Sequence, residues 1–318
     1  MRSRDIITAG KGYMGKIDIL DREFFAEPER FAELINTEFY QGREILLPNK
    51  LEHLMRCYPS LSSMAGEKNR DILMRDIDQN ICYGLEIETE SDYSMPERIM
   101  TYDACEYEYQ IREIHKEHRA KKEYKKYRDK KSRMKKEDSL FPTVTMVLYL
   151  GEGHWQGRMC LRQMFRMTNR IPELYEKRIR DYHFPLIEAE SVKPEKYHTD
   201  LCEFFRAMQC RGNRDKLKEL SQTEQFKRLS HETEVVISAH LNNKNLLRKV
   251  EEEGLPMCKA MEEWQKEERQ NGRREGRREG RREERIRMIK SLQREGIGEA
   301  QIKRITKCSW EEYAAAVL

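Results

Sequence analysis

The chain has 318 residues, and its charged residues, at 37%, nearly equal its hydrophobic ones, at 38%. No apolar run approaches the roughly 18 residues of a spanning helix, and 16 Gly, 9 Pro and 8 scattered Cys exclude collagen, low-complexity disorder and a disulfide scaffold. The net charge of +4 conceals an asymmetry: His115–Glu137 carries +8 and Arg269–Arg287 carries +5, which leaves −9 for the remainder.

From the amino terminus, MRSRDIITAGKGYMGKIDIL lacks the apolar core of a secretory signal, so a cytoplasmic protein is expected. The eight cysteines include no CxxC pair and none at zinc-finger spacing from a His, which predicts reduced, packed thiols. Residues 21–40 read as helical after Pro28, with Phe31, Leu34, Ile35 and Phe39 on one face and Gly42 as a stop. Ile45–Pro48 reads as extended. Two strands follow, at 70–74 and 80–88, joined by the turn chemistry of Asp78-Gln79-Asn80. In the second, Tyr83, Leu85 and Ile87 share one face, while Gly84, Glu86 and Glu88 share the other.

Pro96 opens a long helix expected to run from Glu97 to about Met134, apolar in its first half and charged in its second. Leu140–Leu150 is the clearest strand, a β-branched apolar run covered on both faces. A strand pair, a long helix and a buried strand predict an α/β domain over residues 1–185. The pattern then turns to amphipathic helices over 186–260. Next comes a charged connector, 261–287, in which GRRE stands at 272–275, 276–279 and 280–283. A period of four drifts about 40° per repeat on a 3.6-residue helix and makes no coiled-coil seam. Residues 288–318 read as a small two-helix unit, with Ile289 and Leu292 before Gly296 and Ile302, Ile305 and Trp310 after it, either a packing or oligomerisation module or a loose helix-turn-helix.

Asp71, Glu86 and Glu88 are the candidate chemical centre. Two residues apart in a strand, Glu86 and Glu88 project from one face, and Asp71 meets them if its strand is adjacent. Carboxylates at that density repel unless a cation intervenes, and hard oxygen ligands suit Mg²⁺. The alternative is that both Glu side chains face solvent on a half-exposed sheet. His115, His118 and His154 are alternatives for proton transfer, or else surface or turn residues. Lys116–Lys136, interleaved with Tyr124 and Tyr127, fits a nucleic-acid backbone or a solvated helix face.

Residues 69–110, NRDILMRDIDQNICYGLEIETESDYSMPERIMTYDACEYEYQ, resemble the recombination-promoting nuclease (Rpn) family, also described as YhgA-like transposases, within the PD-(D/E)XK nuclease superfamily. The resemblance rests on Arg70-Asp71, Glu86-Ile87-Glu88, Tyr93-Ser94-Met95-Pro96, Arg98 and Tyr102-Asp103-Ala104. It extends through Leu140–Val144, Leu148–Gly151, Trp155 and Asp181-Tyr182 to the Gly/Arg/Glu repeat. It implies a restriction-endonuclease-like mixed sheet, a Mg²⁺-dependent DNA endonuclease, and Asp71 and Glu86 as metal-binding carboxylates. Glu88 stands where the superfamily has Lys and this family usually Gln. A Lys there would stabilise charge on phosphate; a Glu instead holds a second metal or acts as a base. Arg98 and Tyr102, one helical turn apart, are placed to contact phosphate, with packing against the sheet as the alternative for Tyr102, and Lys121, Lys122, Lys125 and Lys126 are placed to follow the DNA backbone. The expected function is therefore DNA cleavage at Asp71, Glu86 and Glu88. The alternatives are a catalytically impaired DNA-binding or assembly protein of the same fold and a protein-interaction module. No membrane partner is expected, and homo-oligomers would form through the C-terminal helices.

Overall fold

A computed structural model describes residues 15–55, 70–166, 177–241 and 243–317. Residues 1–14, Cys57 and Asn69, on which parts of the sequence reading fall, lie outside them. Two compact units make up the chain, Met1–Pro256 and Met257–Leu318. The boundary expected at 185/186 falls inside the first. No helix among the described residues is long and apolar enough to cross a membrane.

The first unit is α/β and is built on one five-stranded sheet in the order β1 (Leu51–His53), β2 (Ile72–Asp76), β3 (Ile81–Glu88), β4 (Thr143–Tyr149), β5 (Leu186–Glu188). The first three strands are antiparallel and the last three parallel, so the sheet is mixed. The expected turn joins β2 to β3: the Asp76 carboxylate accepts from the backbone N–H of Asp78 at 2.9 Å and Gln79 at 3.1 Å, and Asn80 takes the left-handed φ of 57°. Leu73, Cys82, Met146, Val147 and Leu148 fill the sheet's interior.

Two helices precede the sheet, α1 over residues 15–25 and α2 (Pro28–Glu38). Pro28 opens α2, and the Glu27 carboxylate caps it on the N–H groups of Glu29 and Arg30. Phe31, Leu34 and Ile35 are buried as their spacing predicts; Phe39, beyond the last turn, is exposed. The amphipathic helices α5 (Leu201–Cys210), α6 (Arg214–Ser221), α7 (His231–His240) and α8 (Lys244–Glu251) complete the unit. Their core reaches back to α1: Phe24 meets Phe204 at 5.3 Å between ring centroids, and Asp21 pairs with the buried His240 at 2.7 Å.

The connection from β3 to β4 departs from expectation. One helix running to about Met134 was the natural reading, yet α3 (Met95–Ala120) stops at Ala120 and a separate short helix, α4 (Tyr127–Ser132), follows. Lys122 adopts φ 53° and its N–H bonds the Arg119 carbonyl, while the Glu123 N–H bonds that of His118. This is a left-handed C-terminal cap made without glycine. His118 then sits between Glu123 at 2.7 Å and Asp138 at 2.9 Å, and Lys135 grips Glu123 at 2.5 Å. A helix of like charges with no apolar face gains nothing by continuing, whereas folding back pairs those charges.

In the second unit, residues 261–287 belong to a single 38-residue helix, α9 (Met257–Arg294), in which the three repeat glycines meet nothing within 4 Å. Two short helices, α10 (Glu299–Thr306) and α11 (Trp310–Val317), fold onto its end around Ile289, Ile302 and Ala316. The predicted apolar set is thereby revised. Ile302 is buried, but Ile305 and Trp310 are exposed, and the partly buried Tyr313 packs in their place.

Candidate active site

The site begins with a register. Ile72 pairs with Leu85 and each step keeps the same offset, so Asp71, in the bend before β2, stands opposite Glu86. Ile87 donates its N–H to Asp71 Oδ2 at 2.9 Å, which pins that carboxylate at the end of the ladder. Glu86 is 1% exposed, so the solvent-facing alternative fails for it. Glu88, one pleat further toward the strand end, is partly open.

Arg98, expected to reach phosphate, instead spends its guanidinium on the protein. Nη2 lies 3.2 Å from Glu86 Oε2 and also contacts Glu88 Oε1, and Nη1 reaches Asp92 at 3.2 Å. Tyr102, the other expected phosphate contact, is 5% exposed and packs beneath the site, with its phenol pushed up to about 12 by burial and the Glu86 charge.

A polar cavity of about 290 Å³ gathers Asp71, Glu86, Glu88, Arg98 and Tyr102, so the three predicted carboxylates do share one space. Asp18 and Asp21 of α1 line it too, and sequence reasoning missed both. Their i, i+3 spacing on a helix is a signal, but nothing local says that the helix packs over a strand 50 residues further on. Burial raises the Asp71 carboxyl above the usual range, and partial desolvation raises that of the more exposed Asp18. Glu86 rises to about 7, through burial first and the neighbouring Asp71 charge second, with Arg98 and Arg70 opposing. Its Oε1 is buried and makes no hydrogen bond. An unsatisfied buried carboxylate oxygen opposite a second carboxylate is the donor set a hard divalent cation takes, so the residues fit Mg²⁺.

Beneath the cavity lies a buried ion pair that explains further motif residues. Arg70 pairs with Asp103 of α3 and donates to Thr145 Oγ1 at 2.6 Å, Thr145 donates to Asp103 at 2.6 Å, and the Tyr182 hydroxyl donates to the other Asp103 oxygen. The group leaves Gly84 no room for a side chain: an added Cβ would stand 2.2 Å from Arg70 Nη1 and 2.7 Å from Thr145 Oγ1. It clamps the backbone beside Asp71 onto α3.

The remaining predicted residues lie elsewhere. Lys121, Lys122, Lys125 and Lys126 are exposed around the end of α3. His115 bonds the Tyr124 hydroxyl at 2.9 Å, His118 its two carboxylates, and the exposed His154 faces Glu188 at 3.4 Å; none lines the cavity. No family model, curated protein or solved structure matches this chain.

Proposed function

We propose that the chain is a Mg²⁺-dependent DNA endonuclease with a restriction-endonuclease-like fold, acting at the Asp71–Glu86 cavity as its resemblance to recombination-promoting nucleases implies. The Glu86 carboxyl carries this reading: fully buried, with one oxygen unsatisfied, and opposite a second raised carboxyl. Asp71 and Glu86 would hold the ion, which when bound lowers the pKa of a coordinated water and stabilises charge on a phosphodiester oxygen.

The protein's own groups prepare that site. The Ile87 N–H fixes Asp71, and the Arg70–Asp103 pair fixes the backbone that carries it. Because Glu86 titrates near 7, it surrenders its proton as a cation enters, so metal affinity rises with pH up to neutrality. The exposed lysines begin some 23 residues beyond Arg98 along α3, about 35 Å at 1.5 Å per residue. A duplex touching both places must span about ten base pairs at 3.4 Å each.

A second reading, a DNA-binding or assembly protein that has lost cleavage, is favoured by one observation. Arg98 already bridges Glu86 and Glu88, supplying from within the positive charge that these carboxylates require. Nicking of supercoiled plasmid with and without Mg²⁺, by the parent chain and by Asp71→Ala and Glu86→Ala, separates the readings. Mg²⁺-dependent nicking lost in both variants supports the nuclease. Binding without nicking in the parent supports the second reading, and neither activity removes both.

A further inference from the structure

Cys160 is remote in sequence from Asp181 and His183 and meets them in the fold, with one ligand atom of each within 4.8 Å of the other two. They lie outside the carboxylate cavity. We propose that they form a Zn²⁺ site, a clip that joins the chain at residue 160 to the segment leading into β5.

The backbone assembles the group before any ion arrives. Cys160 and His183 face each other across an isolated antiparallel bridge, and Leu161 donates to the Tyr182 carbonyl at 3.0 Å beside it. Asp181 Oδ1 accepts from the N–H groups of Arg162 at 2.8 Å and Tyr182 at 2.9 Å, which orients the carboxylate and leaves Oδ2 toward His183 Nε2 at 3.1 Å. Anchoring a ligand by hydrogen bonds to its second oxygen is how metal sites fix their donors.

The donor set selects the ion. One sulfur, one imidazole nitrogen and one carboxylate oxygen suit a borderline-soft cation of tetrahedral habit, and the thiolate disfavours Mg²⁺ and Ca²⁺. Three protein ligands leave the fourth position to water on the side where His183 is exposed. The clip also has a reach. Tyr182, between Asp181 and His183 in the chain, contacts Asp103 of the ion pair that seats the Asp71 backbone.

The test is a Co²⁺ titration of the chelator-treated full chain, read by the thiolate-to-cobalt charge-transfer band, followed by displacement with Zn²⁺. One thiolate-bound Co²⁺ per chain is expected, displaced by Zn²⁺ and not by Mg²⁺. The band should vanish in Cys160→Ser and weaken in affinity at least about tenfold in His183→Ala. His183 is exposed, so its loss leaves the fold intact; Asp71→Asn should leave the band unchanged. No thiolate band in the parent, a full band in Cys160→Ser, or undiminished affinity in His183→Ala would each overturn the site.

Discussion

The carboxylate cavity and the basic run beyond α3 both crowd like charges, and the molecule treats them in opposite ways. In the cavity, Glu86 is taken out of water and Asp71 largely so, and their acidities move, while Arg98 is drawn in as a counter-charge. Around residues 121–138 the charges stay at the surface, where Glu108, Glu123 and Asp138 pair with their neighbours. Pairs that stay within reach of solvent are screened and add little to stability. Charge density alone therefore does not mark a reactive site; dehydration of the charge does.

The strongest test of this contrast is removal of a buried carboxylate. Asp71→Ala or Glu86→Ala should reduce Mg²⁺-dependent nicking by at least about 100-fold, the upper range for losing even a supporting group of a metal site. Equal nicking in the variants would show that the cavity is not the place of cleavage.

Gly84→Ala probes the clamp beneath it. The added methyl collides with Arg70 and Thr145, and separating a buried pair costs about 3 kcal/mol. Urea denaturation reads this directly, and a loss under 1 kcal/mol would mean that the clamp yields freely.

A smaller effect follows from Glu86 itself. Its folded pKa, about 7, exceeds the ordinary 4.5, so the native state binds the extra proton and the parent loses stability as pH rises from about 4.5 to 7. The full shift corresponds to about 3 kcal/mol and is expressed by pH 8, so Glu86→Gln, which cannot ionise, should be about that much more stable than the parent there and nearly equal to it near pH 4.5. A parent–variant difference that does not change with pH would contradict the buried-acid account.

Position 88 sharpens the two functional readings. Glu88→Gln removes one of the three carboxylates that hold Arg98 and takes a charge from the path of a phosphate, and a nicking rate raised about tenfold, or about 1.4 kcal/mol, is expected. Glu88→Lys should gain less, because its ammonium would face Arg98. Lower rates from both would make Glu88 a working ligand or base.

The smallest change belongs to the solvated region. Replacing Lys121, Lys122, Lys125 and Lys126 with Gln should leave stability within about 0.5 kcal/mol. The same replacement should lower the salt slope of DNA binding by up to about 0.9 per lost contact. An unchanged slope would mean that these lysines touch no phosphate.

Alternation in 80–88, the apolar run at 140–150 and the Pro28 helix were legible because each is set by local periodicity and turn chemistry, and each stands in the fold within a few residues of its expected bounds. The shared face of Glu86 and Glu88 was legible for the same reason. The end of α3 was not, because Lys122 caps it only when His118, Glu123, Lys135 and Asp138 come together. Nor could spacing reveal that Arg98 would turn inward, that Asp18 and Asp21 would join the cavity, or that Cys160 would meet His183. Periodicity is a property of a few consecutive residues, so the sequence by itself determined the elements and the faces they bury. Which charges lose their water depends on elements 20 to 70 residues apart packing together, and that only the tertiary structure decided.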